Sequence, residues 1–188
     1  MGSEGVLGGA PGRGRGLGLS AETIERPQAL RVREYGIPDA LKIRPQWVNW
    51  RYAWQEEKWT KHPYSPRSGK KASSTDLLTW SSFECVFDAY EAGGYDGVGF
   101  VLCSGDPFTG IDLDGCRDPA TGDVAAWAEE IVRCFDSYTE VSPSGTGLHV
   151  LVKAKAPASL KRPYLEMYST ERYLTVTGHV VGGVEARS

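Results

Sequence analysis

Two aspartates alternate with two branched apolar residues between glycines in residues 110–115, GIDLDG. This alternation is typical of a short half-buried strand, on which Asp112 and Asp114 share one face. Two residues of rise place their Cα atoms about 6.6 Å apart, close enough for both carboxylates to bind divalent cations about 3.5–4 Å apart. The pattern therefore predicts an acidic metal-binding strand. The alternative is that the aspartates lie in a solvated turn.

Two later stretches carry residues suited to the same chemistry. The turn at residues 142–147, SPSGTG, can offer hydroxyls and bare backbone N–H groups to phosphate oxygens, and His149 lies at the start of the apolar strand that follows. Glu166 alternates with Leu165 and Met167, and a carboxylate on an apolar strand is costly unless it meets a cation. We therefore expect Glu166 to be a third carboxylate of the site. A structural histidine and an acid at a sheet edge are the alternatives.

Charge is distributed unevenly along the chain, whose 188 residues carry a net charge of −3. Residues 41–75 contain eight Lys or Arg against two Glu, whereas residues 76–150 contain fourteen Asp or Glu against two Arg. A basic, aromatic-rich segment beside an acidic one suits a site that binds phosphates and cations, although an ordinary mixed surface is the alternative. Lys61 precedes Pro63 and Pro66, which stiffen the chain, so it is a candidate phosphate contact unless it is simply a solvated lysine.

The hydrophobic pattern predicts the elements that must position these residues. The aromatic segment QWVNWRYAWQEEKWTKHPYSP predicts a β-hairpin with its turn at residues 55–57. Helices are predicted over about residues 81–92 and 123–136. The apolar stripe expected on the second helix consists of Val124, Trp127, Ile131, Val132 and Phe135.

The remaining strands are short and apolar. We expect the strand at residues 98–102 to pair with the strand that carries Asp112, through the loop CSGDPFTG. An apolar strand follows the glycine-rich turn. Two more strands, at about residues 164–168 and 172–179, are separated by Ser-Thr-Glu.

Composition sets the domain organisation. With 40% apolar residues, the chain can bury one substantial core. We predict a disordered glycine-rich leader over residues 1–20, an N-terminal extension over 21–45, one folded domain over 46–183 whose core begins near Gln46, and a tail over 184–188. No apolar run approaches the roughly 20 residues needed to span a bilayer and no secretory signal is evident, so a cytoplasmic protein without membrane contact is expected. The four cysteines lack metal-binding spacing and are expected to be reduced thiols.

The order of the motifs is more specific than any one of them. An apolar-Asp-apolar-Asp strand, then Ser-x-x-x-x-His, then an apolar-Glu strand resembles the three motifs of the archaeo-eukaryotic primase superfamily. The stretches KWTKHPYSPRSGKKASSTDLLTW, YDGVGFVL, GIDLDGC, SYTEVSPSGTGLHV and EMYSTERYLTVTGH look like primase-polymerase domains of phage, plasmid and integrated-element replication proteins. The resemblance covers about residues 46–182. It implies an α+β (α/β) fold, in which an antiparallel β-sheet like that of the RNA-recognition motif forms the catalytic core and packs with an α/β lobe.

The resemblance also implies a function and a set of site residues. The function is template-dependent nucleotidyl transfer with two Mg²⁺ or Mn²⁺ ions, extending a primer with nucleoside triphosphates. Carried over by position, the catalytic residues and metal ligands are Asp112, Asp114 and Glu166. The implied nucleotide contacts are Lys61, Ser142, Ser144, Gly145, His149 and Arg172. Many relatives have Asp in place of Glu166, but either carboxylate can bind these ions.

The resemblance also implies binding partners, and two other functions are alternatives to it. We expect a DNA template and primer, nucleoside triphosphates and, in the full-length context, a helicase domain or protein. The chain has no Walker A pattern and ends at Ser188, so we expect either a truncated piece or a stand-alone catalytic domain that extends primers but starts chains poorly. A metal-dependent nuclease could use the same carboxylates. A noncatalytic module that binds single-stranded nucleic acid through the tryptophan-rich hairpin is the other alternative.

Overall fold

The computed structural model describes residues 24–182. The predicted leader over residues 1–20 and tail over 184–188 lie outside this range. The described part contains three α-helices, two 3₁₀ turns at Glu34–Gly36 and Leu77–Thr79, and nine strands. In chain order the helices and strands are α1 (Asp39–Lys42), β1 (Trp47–Gln55), β2 (Lys58–Tyr64), α2 (Phe83–Glu91), β3 (Gly97–Leu102), β4 (Thr109–Leu113), α3 (Ala126–Phe135), β5 (Tyr138–Val141), β6 (Leu148–Val152), β7 (Leu160–Arg162), β8 (Leu165–Tyr168) and β9 (Arg172–Val176).

The strands form two antiparallel sheets. The four-stranded sheet has the order β2-β1-β3-β9, and the five-stranded sheet has the order β5-β6-β4-β8-β7. One apolar cluster joins α2 to residues of both sheets, and a second lies between α3 and the five-stranded sheet. Antiparallel sheets packed with few helices confirm the predicted α+β class.

The hairpin and α2 are confirmed, and both are determined locally. β1 and β2 are joined by Glu56 and Glu57, whose φ angles of 50° and 60° are those that a two-residue hairpin turn requires. Helix α2 begins after Ser82, whose side chain accepts a hydrogen bond from the backbone N–H of Cys85. A serine in this position satisfies a helix donor that otherwise lacks a partner.

The predicted pairing of the strand at residues 98–102 with the strand carrying Asp112 is wrong. β3 pairs with β1 and β9, whereas β4 pairs with β6 and β8 in the other sheet. The connecting loop is fixed by the buried carboxylate of Asp106, which accepts hydrogen bonds from the backbone N–H groups of Cys103 and Phe108, both at 2.7 Å. Because this carboxylate satisfies the donors of the loop, the chain can leave one sheet and enter the other without forming a hairpin.

The apolar stripe predicted for the second helix is correct only in part, since Val124 also packs against the second apolar cluster. Ala128 is fully buried, and Ile131 and Val132 pack against the same apolar cluster, but Trp127 and Phe135 are each 40% exposed. A small residue at the centre of the contact lets the helix lie close to the sheet, and the bulky rings then fall at the margin of the contact.

The core extends upstream of Gln46, so the prediction that it begins there is wrong. Val32, Ile37 and Leu41 are buried in the same apolar cluster as Trp47. Prolines limit the length of a helix, but they do not prevent short segments from burying side chains against a sheet.

All four cysteines lie in the described range, and they form no disulfide there. None of the helices in this part of the chain has both the length and the apolar character needed to cross a bilayer.

Candidate active site

A row of ionisable side chains crosses the five-stranded sheet, with one residue from each strand. Each residue is the direct register partner of the next one on the neighbouring strand. From β5 through β6, β4 and β8 to β7, the residues are Glu140, His149, Asp112, Glu166 and Lys161. Direct cross-strand partners project from the same face of a sheet. Residues from three distant motifs are therefore adjacent on one face, and we call this set the ionisable row.

Asp112 lies on a strand as predicted, but Asp114 does not. β4 ends at the buried Leu113, and Asp114 is an exposed residue of the following turn, in which Gly115 has a φ of 61°. The backbone N–H of Asp114 still donates a hydrogen bond of 2.9 Å to the carbonyl of Tyr164, which holds the turn beside β8. For Asp114, the alternative of a turn position is thus correct, because Gly115 lets the chain leave the direction of β4.

Asp112 and His149 form an ion pair, with 3.5 Å between Oδ1 and Nε2. Desolvation raises the pKa of Asp112, but His149 and, less strongly, Lys61 hold it below its usual value. The His149 ring is only 2% exposed. Burial alone lowers its pKa, yet the carboxylates of Asp112 and Glu140 raise it to about 9. His149 is therefore a buried cation at neutral pH, held between two carboxylates.

Glu140 belongs to this site, and the sequence analysis missed it. Its carboxylate is fully buried, and Oε2 accepts hydrogen bonds from the Tyr138 hydroxyl (2.5 Å) and from the backbone N–H groups of Thr177 (3.0 Å) and Gly178 (2.7 Å). Its Oε1 lies 3.5 Å from Nδ1 of His149. The signal that could have found it is an acid within a buried strand, the same pattern that identified the third motif.

Asp114 and Lys61 add two charges to the ionisable row. Burial, followed by the charges of Asp112 and Glu166, raises the pKa of Asp114. Burial lowers the pKa of Lys61, while Asp112 and Asp114 act in the opposite direction. Lys61 lies on β2 of the four-stranded sheet. The candidate site therefore receives residues from both sheets, and Lys61 lies close enough to Asp112 and Asp114 to interact with their charges.

Glu166 has partners of its own. Its Oε1 lies 2.6 Å from Nζ of Lys161, and its Oε2 accepts a hydrogen bond of 2.8 Å from the Tyr168 hydroxyl. The hydrogen bond from Lys161 is the largest of the contacts that hold the pKa of Glu166 below its usual value. The guanidinium of Arg172 lies 4.6 Å from the centroid of the Tyr168 ring. Arg172 lines a pocket of about 160 Å³ together with Asp112 and Glu166.

The glycine-rich turn packs against the end of β4. The Ser142 hydroxyl accepts a hydrogen bond of 3.1 Å from the backbone N–H of Gly147 and lies 3.1 Å from the Ser144 hydroxyl. A Cβ on Gly147 would lie 2.6 Å from the Leu113 carbonyl, so only glycine allows this approach. Ser142 is buried and Ser144 is exposed. Of the two predicted hydroxyls, that of Ser144 is thus the one accessible to a ligand. Gly145 follows Ser144 in the turn before β6 and has a φ of 79°.

The carboxylates of the candidate site are ligands of the type that hard divalent cations bind. Among residues 24–182, no set of three or more His, Cys, Asp or Glu side chains is already arranged as a metal centre. Asp112 and Asp114 are nevertheless electrostatically coupled, and carboxylate oxygens are the ligands that Mg²⁺ and Mn²⁺ prefer. Glu166 already pairs with Lys161, and this ion pair would weaken its interaction with a metal ion. The residues fit such an ion in chemical type.

Comparison with known proteins supports the resemblance carried by the motifs. No protein-family model matches the chain. The DNA primase-polymerase of Nitratiruptor phage NrS-1 is 42% identical to the chain over 151 residues, a similarity that covers 77% of this chain and 20% of the phage protein. The chain thus spans about a fifth of the length of that relative.

Proposed function

We propose that this chain is the catalytic domain of a DNA primase-polymerase of the archaeo-eukaryotic primase superfamily, with the RNA-recognition-like catalytic sheet of that superfamily. The observation that carries the proposal is the ionisable row, because it brings the acids of the first and third motifs together with the histidine of the second. The 42% identity to a phage protein named DNA primase-polymerase supports it independently.

The proposed reaction is nucleotidyl transfer to a primer. The 3′-hydroxyl oxygen of the primer attacks the α-phosphorus of an incoming nucleoside triphosphate, the bond to the β-phosphate breaks, and pyrophosphate leaves. Divalent ions held by Asp112, Asp114 and Glu166 would lower the pKa of the attacking hydroxyl and neutralise the leaving pyrophosphate.

The remaining side chains act on the triphosphate. Lys61 and Arg172 belong to the four-stranded sheet and face the acids, so a triphosphate between the sheets meets cations on one side. Such cations stabilise the charge that develops on the phosphates during transfer. The buried His149 contributes its positive charge through Asp112, with which its Nε2 pairs. Ser144 and Gly145 belong to the turn that packs against the end of β4.

The proposed partners are a DNA template with its primer and nucleoside triphosphates. Because the chain corresponds to about a fifth of the phage relative, a helicase and any contacts needed to start chains without a primer are proposed to lie in other parts of the full-length protein. A replication enzyme of this kind would act in the cytoplasm.

Primer extension tests the proposal. The purified chain is incubated with a labelled primer on a longer template, dNTPs and either Mg²⁺ or Mn²⁺. We expect template-directed lengthening of the primer and release of pyrophosphate. Shortening of the primer would support a metal-dependent nuclease instead, and a gel shift with no change in primer length would support a noncatalytic binding module.

A further inference from the structure

The two oxygens of the buried Glu140 carboxylate differ in their partners, although they share one donor. Oε2 accepts hydrogen bonds from the hydroxyl of Tyr138 and from the backbone N–H groups of Thr177 and Gly178. Oε1 shares the Thr177 N–H, at 3.0 Å, and also faces Nδ1 of His149 at 3.5 Å. This nitrogen is buried without a closer hydrogen-bond partner in the described part of the chain. A buried imidazole nitrogen beside a buried carboxylate oxygen is a pair that a small approach converts into a hydrogen bond.

The carboxylate is fixed from the other sheet. Its two backbone donors, Thr177 and Gly178, directly follow β9 of the four-stranded sheet. Gly178 has a φ of 69°, and a Cβ there would lie 2.0 Å from the carbonyl of Arg33, so the backbone at this point has little freedom to move. Glu140 is thus a rigid acceptor, and its position does not depend on His149.

We propose that Glu140 is the positioning residue of the active site: its Oε1 accepts the Nδ1–H of His149 and thereby directs Nε2–H towards Asp112. The hydrogen bond made by one ring nitrogen sets which way the other nitrogen points and what it can donate. Through His149, Glu140 orients the carboxylate that is proposed to bind metal. The consequence for nucleotide binding rests on the proposed function, whereas the hydrogen bond itself does not.

Replacing Glu140 by glutamine separates the two sides of the carboxylate. The backbone N–H groups of Thr177 and Gly178 need an oxygen, so the amide oxygen takes the place of Oε2. The amide NH₂ then takes the place of Oε1 and presents a donor to the His149 Nδ1–H. Glu140→Gln therefore keeps the hydrogen bonds at the Oε2 position, loses only the second branch of the shared Thr177 N–H bond, and removes the acceptor that faces Nδ1 of His149.

The hydrogen bond can be observed directly in the wild-type protein. The chain has three histidines, so imidazole ¹H–¹⁵N correlation spectra are simple, and His149→Gln identifies the signals of His149. We expect its Nδ1 to carry a hydrogen that exchanges slowly and resonates far downfield, as expected for a donor to a buried carboxylate. In Glu140→Gln this signal should move upfield or be lost. A wild-type His149 without a hydrogen on Nδ1, or a signal unchanged in Glu140→Gln, would overturn the proposal.

Primer-extension kinetics test the consequence for the site. Glu140→Gln should raise the KM for dNTP by about 10–100-fold, the range expected for groups that orient metal ligands, with a smaller effect on kcat and none on primer–template affinity. Tyr138→Phe is the matched control, because it removes a hydrogen bond to Oε2 of the same carboxylate. It should lower the melting temperature without changing KM.

The possible outcomes distinguish a failure of the positioning role of Glu140 from a failure of the proposed function. Equal KM effects of Glu140→Gln and Tyr138→Phe, or a KM unchanged in Glu140→Gln, would show that Glu140 is only structural. If Glu140→Gln does not fold, the wild-type imidazole spectrum decides the matter. If the wild-type chain incorporates no nucleotide, the proposed function fails, while the spectrum still accepts or rejects the hydrogen bond.

Discussion

Asp112 and Glu166 are direct register partners on the antiparallel strands β4 and β8, although they belong to different motifs. His149 is the direct partner of Asp112 on the other side, from β6. Because β4 lies between β6 and β8, Asp112 is the point at which the three motifs meet. Asp112 pairs with a buried histidine in the structure, in addition to its proposed role as a metal ligand.

The two aspartates should differ in their effect on stability but not on activity. Asp112→Asn and Asp114→Asn should each reduce nucleotide incorporation on the order of 100-fold or more, since even groups that support metal ligands are worth about 10–100-fold. Without metal, Asp114→Asn should leave the melting temperature unchanged or raise it, because burial and then the neighbouring carboxylates raise the pKa of Asp114, so that its charge is unfavourable. Asp112→Asn should lower the melting temperature, because His149 loses an ionised partner. Primer extension and thermal unfolding measure both effects. A folded Asp114→Asn that extends primers normally would contradict the assignment of that residue.

His149→Gln should weaken dNTP binding and incorporation while leaving affinity for a primed template nearly unchanged. The expected loss is selective because the charge removed lies beside Asp112, within the ionisable row. Titration of dNTP and of fluorescent primed template measures the two affinities separately. His179→Gln is the matched control, since His179 contacts the carbonyl of Arg31 and lies outside the row. Equal losses of both affinities would indicate a structural histidine.

Lys161→Met should increase the affinity for Mn²⁺ several-fold. Nζ of Lys161 lies 2.6 Å from Oε1 of Glu166, so it would compete with the proposed metal ion for that carboxylate. The melting temperature should change little, because Lys161 is 74% exposed and solvent screens such pairs. Mn²⁺ titration followed by electron paramagnetic resonance gives the affinity. Lys153→Met removes the same charge at an exposed position just after β6 and should have a smaller effect. Equal effects of the two substitutions would show that only net charge matters.

Asp106→Ala should destabilise the fold by about 3 kcal/mol, the expected order for a buried acceptor that leaves several donors without partners. The Asp106 carboxylate accepts from the side chains of Gln46 (2.9 Å) and Lys155 (3.3 Å) as well as from two backbone N–H groups of the loop between the sheets. Urea-induced unfolding measures the change. Asp106→Asn keeps the shape and part of the acceptor capacity, so its cost should be smaller. A cost below that of an ordinary surface substitution would show that the loop does not depend on this residue.

Some features of this protein were predictable from the sequence because their causes are local. The hairpin turn at Glu56 and Glu57, the start of α2 at Ser82 and the strand alternation around Asp112 each depend on a few neighbouring residues. The acids, the histidine and their order along the chain were also evident, and they carried the family resemblance. Their roles in catalysis stay predictions.

The neighbours of each strand were decided only by the tertiary structure. Period-two alternation predicts which side chains share a face but not which strand lies alongside, so β3 and β4 were wrongly paired. For Glu140, an acid within a buried strand is a sequence signal, but its role depends on the strand partners: it faces His149 across β5 and β6, and backbone donors that follow β9 hold it. Because His149 is buried in a low-dielectric interior, the charges of Asp112 and Glu140 act on it strongly. These partners from other strands, rather than the local sequence, raise its pKa.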